Sequence, residues 1–135
     1  MKGEVRLYQD SDYLLVNEIL QEAFGVSKKE FHDNQFQELV ITVDQFVCGY
    51  LLLTKVLNPI LDRYYYLVDY VCINSKYRGL GLGEQLIEEA CKICSDNQAM
   101  YMQLTCRRSR LAAHKLYEKC GFVMRDSDIF RKELL

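Results

Sequence analysis

The residues with the clearest chemical potential in this sequence are Arg78-Gly79-Leu80-Gly81-Leu82-Gly83-Glu84. Three alternate glycines lack Cβ atoms and reach dihedrals closed to other residues, so successive backbone N–H groups can converge on one point. A helix starting here adds the positive end of its dipole, which makes a seat for an anion, above all a pyrophosphate. Two phosphate loops of known pattern do not fit. G-x-G-x-x-G fails because Glu84 or Leu86 takes the place of the third glycine, and no Gly-Lys-Ser or Gly-Lys-Thr follows. The glycines by themselves also fit a tight strand–helix turn that binds nothing.

The cysteines are the second reactive group: Cys48, Cys72, Cys91, Cys94, Cys106 and Cys120. Cys91 and Cys94 have the spacing of a redox or zinc pair. They fall inside an expected helix with no second ligand pair, so no metal site is expected. The start, Met1-Lys2-Gly3-Glu4-Val5-Arg6, has no apolar core for a secretory signal, and the greasy stretch Phe46–Thr54 is too short to span a bilayer. The expectation is a cytoplasmic protein with no membrane partner, its thiols reduced and packed as small hydrophobes. Seventeen Lys and Arg against nineteen Asp and Glu, a net charge of -2, exclude a generally basic nucleic-acid binder. At 135 residues, 50% hydrophobic and 27% charged, the composition is that of one soluble domain over residues 1–135.

These residues need elements to position them. A strand at Val5–Tyr8 precedes a helix capped by Asp10 or Ser11 and running to Phe24. Ser27-Lys28-Lys29-Glu30 has the form of a capping box opening a second short helix. Leu39–Val43 and Phe46–Thr54 read as a hairpin turning at Asp44-Gln45, although the turn lacks glycine. Tyr64–Ile73 is a strand leading into the glycine turn, and the 3.6-residue period of Leu82, Leu86, Ala90 and Ile93 makes Gly83–Ser95 a helix. Met100–Thr105 follows as a buried strand, then a helix from Arg110 to Lys119 stopped by Gly121. Phe122–Arg125 and Ile129–Glu133 read as two final strands. The strand–helix–strand unit implies parallel pairing and the hairpins antiparallel pairing, hence a mixed sheet.

With those elements in place, Arg78-x-x-Gly81-x-Gly83 resembles the Arg/Gln-x-x-Gly-x-Gly/Ala signature of the GNAT superfamily of N-acetyltransferases, of the single-domain bacterial type. Ala113-His114-Lys115-Leu116-Tyr117-Glu118-Lys119-Cys120-Gly121-Phe122 is similar to a second signature of that family. The resemblance covers residues 64–135 well and the first half only in its order of elements. It implies an α/β (α+β) fold with a strongly twisted mixed sheet of about six to seven strands and about four helices. A V-shaped splay would separate the two central parallel strands, near Asp69–Ile73 and Met100–Thr105. One departure stands out: where members often carry Asn three residues before the motif alanine, this chain has Arg110. With Arg107 and Arg108, it lies near a cofactor phosphate or in a solvated basic turn.

The resemblance further implies acetyl-coenzyme A as acyl donor, no metal, and direct transfer to a primary amine of a small molecule or protein. Backbone groups of Val71, Cys72 and Ile73 would bind the pantetheine arm or the oxyanion, and Arg78, Gly79, Leu80, Gly81, Leu82, Gly83 and Glu84 the pyrophosphate. Tyr117 takes the place of the acid that protonates the leaving thiolate, and Asp69 that of the base. A noncatalytic acyl-coenzyme A binding or sensor module on the same fold is the alternative. Tyr64, Tyr65 and Tyr66 are candidates for lining an acceptor pocket, and His32 and His114 are weaker ones. Cys72 and Cys106 are expected near the thioester. Asp10, Asp12, Glu18 and Glu22 hint at a cationic acceptor, or form a solvated face. Members of the family commonly form homodimers.

Overall fold

A two-residue turn sets the first half of the sheet. Asp44 and Gln45 both take left-handed dihedrals, φ 49° and 67°, and join Val43 directly to Phe46 across the pair. This is the primed turn whose twist matches that of the strands, formed here without the usual glycine. The computed structural model describes residues 1–135. Five strands, β1 (Glu4–Leu7), β2 (Phe36–Val43), β3 (Phe46–Asn58), β4 (Arg63–Ile73) and β5 (Met102–Gln103), form one sheet in that order. The first four pair antiparallel; β4 and β5 pair parallel, joined by the crossover helix that such a return requires. The helices are α1 (Tyr13–Phe24), α2 (Leu82–Asp96) and α3 (Leu111–Lys119).

The core lies on both faces of the sheet. Leu82, Leu86, Ile87, Ala90 and Cys94 of α2 pack on Leu39, Ile41, Leu51, Leu53, Tyr66 and Val68. Val16, Ile19 and Leu20 of α1 pack on Val40, Val47, Tyr50 and Cys72. Each helix supplies one apolar stripe, and β2 to β4, buried on both faces, alternate between the two clusters. A bidentate ion pair from Arg6 to the buried Asp12, 2.7 and 2.9 Å, fixes β1 to the turn that opens α1.

Several expectations are corrected. The sheet has five strands, not six to seven, and there are three helices, not four. The capping box at Ser27 opens no helix: Ser27 Oγ accepts from Gln21, and Glu30 binds Tyr8 and Lys28 instead of turning back on the chain. Tertiary contacts override a local signal of about 1 kcal/mol. The strands expected at Phe122–Arg125 and Ile129–Glu133 do not form, and Val123 and Phe130 are 82% and 95% exposed. A strand needs a partner edge, and β5, shortened from Met100–Thr105 to Met102–Gln103, offers only two residues. For the same reason the parting strands are β4 and an edge strand rather than two central ones.

Candidate active site

β4 and β5 meet at two positions, Tyr66 opposite Met102 and Leu67 opposite Gln103, and β4 then runs on alone to Ile73. A β-bulge prepares the freed edge. Between Asp69 and Cys72 the β4 chain takes one residue more than β3 does between Leu52 and Tyr50, with Tyr70 at φ 56°. Holding a non-glycine residue there costs about 1–2 kcal/mol. The extra residue exchanges the faces and edges of the strand. Before it, Tyr64 O and Tyr66 N bond toward β5, and Val68 packs under α2. After it, the Asn74 amide bonds to β3, Cys72 packs under α1, and Val71 and Ile73 pack toward α2. The edge groups of Val71 and Ile73 therefore face the gap.

That gap continues into a cleft of about 670 Å³ bounded by the end of β4, the start of α2, α3, and Glu22 and Ala23 of α1. Gly81 caps α2 at φ 79° and Gly79 sits at φ 75°. A Cβ at either would meet open space, so what these positions demand is the left-handed backbone itself. Gly83 differs: a Cβ there would stand 3.3 Å from Leu116, so its absence lets α2 and α3 close together. No side chain caps α2, and none of the amides from Gly79 to Glu84 donates to another protein group. These open amides, at the positive end of a helix, are the donor set an anion requires.

The charged side chains around the cleft are nearly all paired. Arg78 donates through Nε to the Ile73 carbonyl (3.1 Å) and lies 3.6 Å from Glu22. Glu22, which accepts from the Ser75 hydroxyl and amide, is held below the usual carboxylate range by those bonds. Lys119 of α3 reaches Glu84 of α2 at 2.8 Å, and that bond holds Glu84 low as well. Arg110 has no carboxylate partner; it stands over the Phe24 ring at 5.5 Å.

Tyr117 is half-buried on α3, edge-on to Phe122 at 5.9 Å, with no protein partner for its hydroxyl. Burial, reinforced by Cys106 and opposed by Arg110, pushes the phenol up to about 12, so it keeps its proton at neutral pH. A second, smaller cavity of about 60 Å³ lies beyond it, with Asp69, Tyr70, Phe24, Thr105 and Cys106 among its walls. Asp69 is exposed as a residue, yet partial burial of its carboxyl raises its pKa above the usual carboxylate value. Val71, Arg110 and Tyr117 border both cavities. An unpaired phenol and a proton-accepting carboxylate thus stand on either side of one junction, an arrangement suited to moving protons during group transfer.

The structure brings Val71, Cys72, Ile73, Arg78, Gly79, Gly81, Leu82, Gly83, Glu84 and Tyr117 to the larger cleft and Asp69 to the smaller cavity. Leu80 lines neither and is partly exposed. Cys72 is buried and pushed up to about 12 by that burial, so it stays a packing thiol. The tyrosine run leaves the site: Tyr66 is core, Tyr65 stacks on Tyr101, and Tyr64 covers Lys55. His32 is exposed outside any helix, and His114 Nε2 lies 2.9 Å from the Arg107 carbonyl, so it ties the loop before α3. Asp12 is committed to Arg6. Sequence reasoning missed Phe24 and Tyr70; only the bulge, which no local pattern announced, aims Tyr70 at Phe24, 5.4 Å away. No group of three or more His, Cys, Asp or Glu is placed to hold a metal ion, and no helix is long and apolar enough to cross a membrane.

An uncapped helix start beside a parted parallel strand pair sets the cleft of this mixed α/β fold, and comparison makes the class particular. Residues 5–122 match the acetyltransferase (GNAT) family model, and the chain belongs to that family, whose members transfer an acetyl group from acyl-coenzyme A. Streptothricin acetyltransferase from Escherichia coli is 27% identical over 88 residues, 65% of this chain and 48% of that protein, so the match spans about half of that relative. The fold superposes on a putative acetyltransferase from Agrobacterium tumefaciens with a TM-score of 0.83 at 19% identity, covering 96% of this chain and 99% of that one. It also superposes on ribosomal-protein-alanine N-acetyltransferase from Brucella melitensis, with a TM-score of 0.83 at 17% identity over 98% and 99%.

Proposed function

We propose that this chain is an N-acetyltransferase that moves an acetyl group directly from acetyl-coenzyme A to a primary amine. The observation that carries this reading is the junction of two cavities at Val71, Arg110 and Tyr117. The larger ends at the open amides of Gly79–Glu84; the smaller ends at Asp69. The larger side fits a coenzyme: its free donors are amides at a helix start, with Arg78 next in the chain and Arg110 on the same cleft wall, a set suited to a diphosphate. Val71 and Ile73 present their edge groups along the gap, where an extended amide-bearing arm adds like a strand. The donor supplies an acetyl thioester, already activated toward nitrogen nucleophiles.

The chain's own residues manage protons and position. An alkylamine is an ammonium of pKa about 10 and must lose a proton before it attacks. Asp69, directly or through a water, accepts that proton; its raised pKa makes it a better base than a solvated carboxylate. Tyr117, protonated at neutral pH, gives its hydroxyl proton to the leaving sulfur. The narrowness of the smaller cavity favours an unbranched amine-bearing chain end, and the similarity to an acetyltransferase named for streptothricin favours a small molecule over a protein.

The deciding experiment is a coenzyme A release screen over a panel of primary amines, run beside calorimetric titration with acetyl-coenzyme A. Binding with amine-dependent release is expected. Binding without release for any amine would leave a noncatalytic acyl-coenzyme A module, and no binding would remove the assignment of the cleft.

A further inference from the structure

Between α1 and β2, in residues 25–35, the chain buries a lysine. The Lys28 side chain is 6% exposed. Its ammonium lies 4.4 Å from the ring centre of Tyr8, 4.9 Å from that of Phe31 and 5.8 Å from that of Tyr13. The carboxylates of Glu30 and Glu38 stand 3.2 and 3.3 Å away. Glu38, 8% exposed, also accepts from the Tyr50 hydroxyl at 2.6 Å, and Glu30 accepts from the Tyr8 hydroxyl at 2.8 Å. Lysine is among the residues least often buried, and aromatic faces closed by carboxylates are the chemistry that recognises an alkylammonium.

The position of this cage in the sheet gives it a use. Glu38 is in register with Leu52, and Leu52 with Asp69, so the three form one row across β2, β3 and β4. Two strand spacings separate Glu38 from Asp69, about 10 Å. The neighbouring row is Val40, Tyr50 and Cys72, and Cys72 adjoins Val71 at the cavity junction. The segment that carries Lys28 has no helix or strand. It is fastened to α1 by the Lys28 amide on Asn17 (2.7 Å) and by Gln21 on Ser27 (2.8 Å).

We propose that this cage is the subsite for the second ammonium of a diamine acceptor, and that Lys28 is a tethered stand-in which the acceptor displaces. The inference rests on the amine-acetylating reading above, with the reacting amine beside Asp69. A second ammonium about 10 Å along the row then reaches Glu38 and the rings of Tyr8 and Phe31. Exchange of one ammonium for another keeps the buried Glu38 carboxylate neutralised throughout, so displacement avoids leaving a buried charge unpaired. A monoamine of the same length has no second charge to offer and leaves Lys28 in place.

Lys28→Met keeps the apolar stem and removes the charge. Without any acyl donor, diaminoheptane is expected to raise the melting temperature of this variant at concentrations at least tenfold below those that act on the parent protein. Heptanol should have no such effect. Equal responses of variant and parent, or an equal effect of heptanol, overturn the proposal. Should Lys28→Met not fold, Glu38→Gln decides, because it leaves Lys28 paired with Glu30. Its KM for diaminoheptane is expected to rise at least fivefold with KM for heptylamine and for acetyl-coenzyme A unchanged; parallel changes for both amines overturn the proposal. The melting titration needs no turnover. Failure of the acetyltransferase reading therefore shows as absent coenzyme A release, and failure of the cage as absent amine-specific stabilisation.

Discussion

Replacing Tyr117 by Phe removes one oxygen and tests the proton donor directly. The hydroxyl has no protein partner, and the edge-on contact with Phe122 belongs to the ring, so no native interaction is deleted. Stability should change by less than about 0.5 kcal/mol. At an unfolding entropy of about 2.1 cal/mol/K per residue, that moves the melting temperature of this chain by under about 2 °C. A positioned general acid contributes on the order of 10²–10⁴ in rate, so kcat should fall about 100-fold, equivalent to about 2.7 kcal/mol of barrier. The assay is coenzyme A release at saturating donor and amine, beside a thermal melt and a calorimetric titration with acetyl-coenzyme A. Affinity for the donor should stay within about twofold of the parent value, because the phosphate seat is made of backbone amides that the substitution leaves in place. With the phenol at about 12, the parent enzyme loses none of its acid form on going from neutral pH to about 10. A kcat loss under about threefold, with stability unchanged, would refute Tyr117 as the proton source. A melting temperature lowered by more than about 5 °C would instead assign the hydroxyl a structural role.

Gly81→Ala forces a side chain into the left-handed cap of α2, at about 1–2 kcal/mol, and should lower the melting temperature by about 4–7 °C. Its methyl group projects into the open cleft, so the dissociation constant for acetyl-coenzyme A should rise at least about tenfold by calorimetry; retained affinity would sink the anion seat. Asp69 has a raised pKa in the folded state, so it favours folding while protonated, below its unfolded pKa, and that contribution is lost as pH rises through the folded value. Asp69→Asn should therefore melt higher than the parent at neutral pH, equal it in strong acid, and turn over more slowly. Asp12 shows the opposite sign. Burial alone would raise it, but the Arg6 and Gln9 bonds outweigh that and hold it low, so its contribution is present above about 3.9 and lost as pH falls through the folded value. Urea titrations of Asp12→Asn should show a loss of about 2–3 kcal/mol at neutral pH that shrinks in acid.

The positions of elements followed from local pattern wherever periodicity and stop signals agreed. α2 was expected at Gly83–Ser95 and runs Leu82–Asp96; α3 stops before Gly121, which takes φ 90° as a glycine after a helix does. The Asp44-Gln45 turn was legible from the runs of β-branched and aromatic residues on either side, even without glycine. The capping box at Ser27 was legible too and misled, because Lys28 and Glu30 found partners distant in sequence. The final strands misled for a related reason: Ile129-Phe130-Arg131 has the composition of a strand but no edge to join.

Sequence alone determined which residues could carry the chemistry. Gly79 and Gly81 permit the left-handed backbone that opens α2 without a side-chain cap, and both family signatures are contiguous in the chain. Tertiary structure alone decided where those residues meet. The bulge at Tyr70 exchanges the faces of β4, so Val71 rather than Cys72 borders the cavity junction with its edge groups free. Arg110, a departure from the family pattern, became an unpaired cation at that junction, and Lys28 became the buried centre of a cage of rings and carboxylates. Register and burial depend on pairings between distant segments, and a local reading of types and spacing carries no information about them.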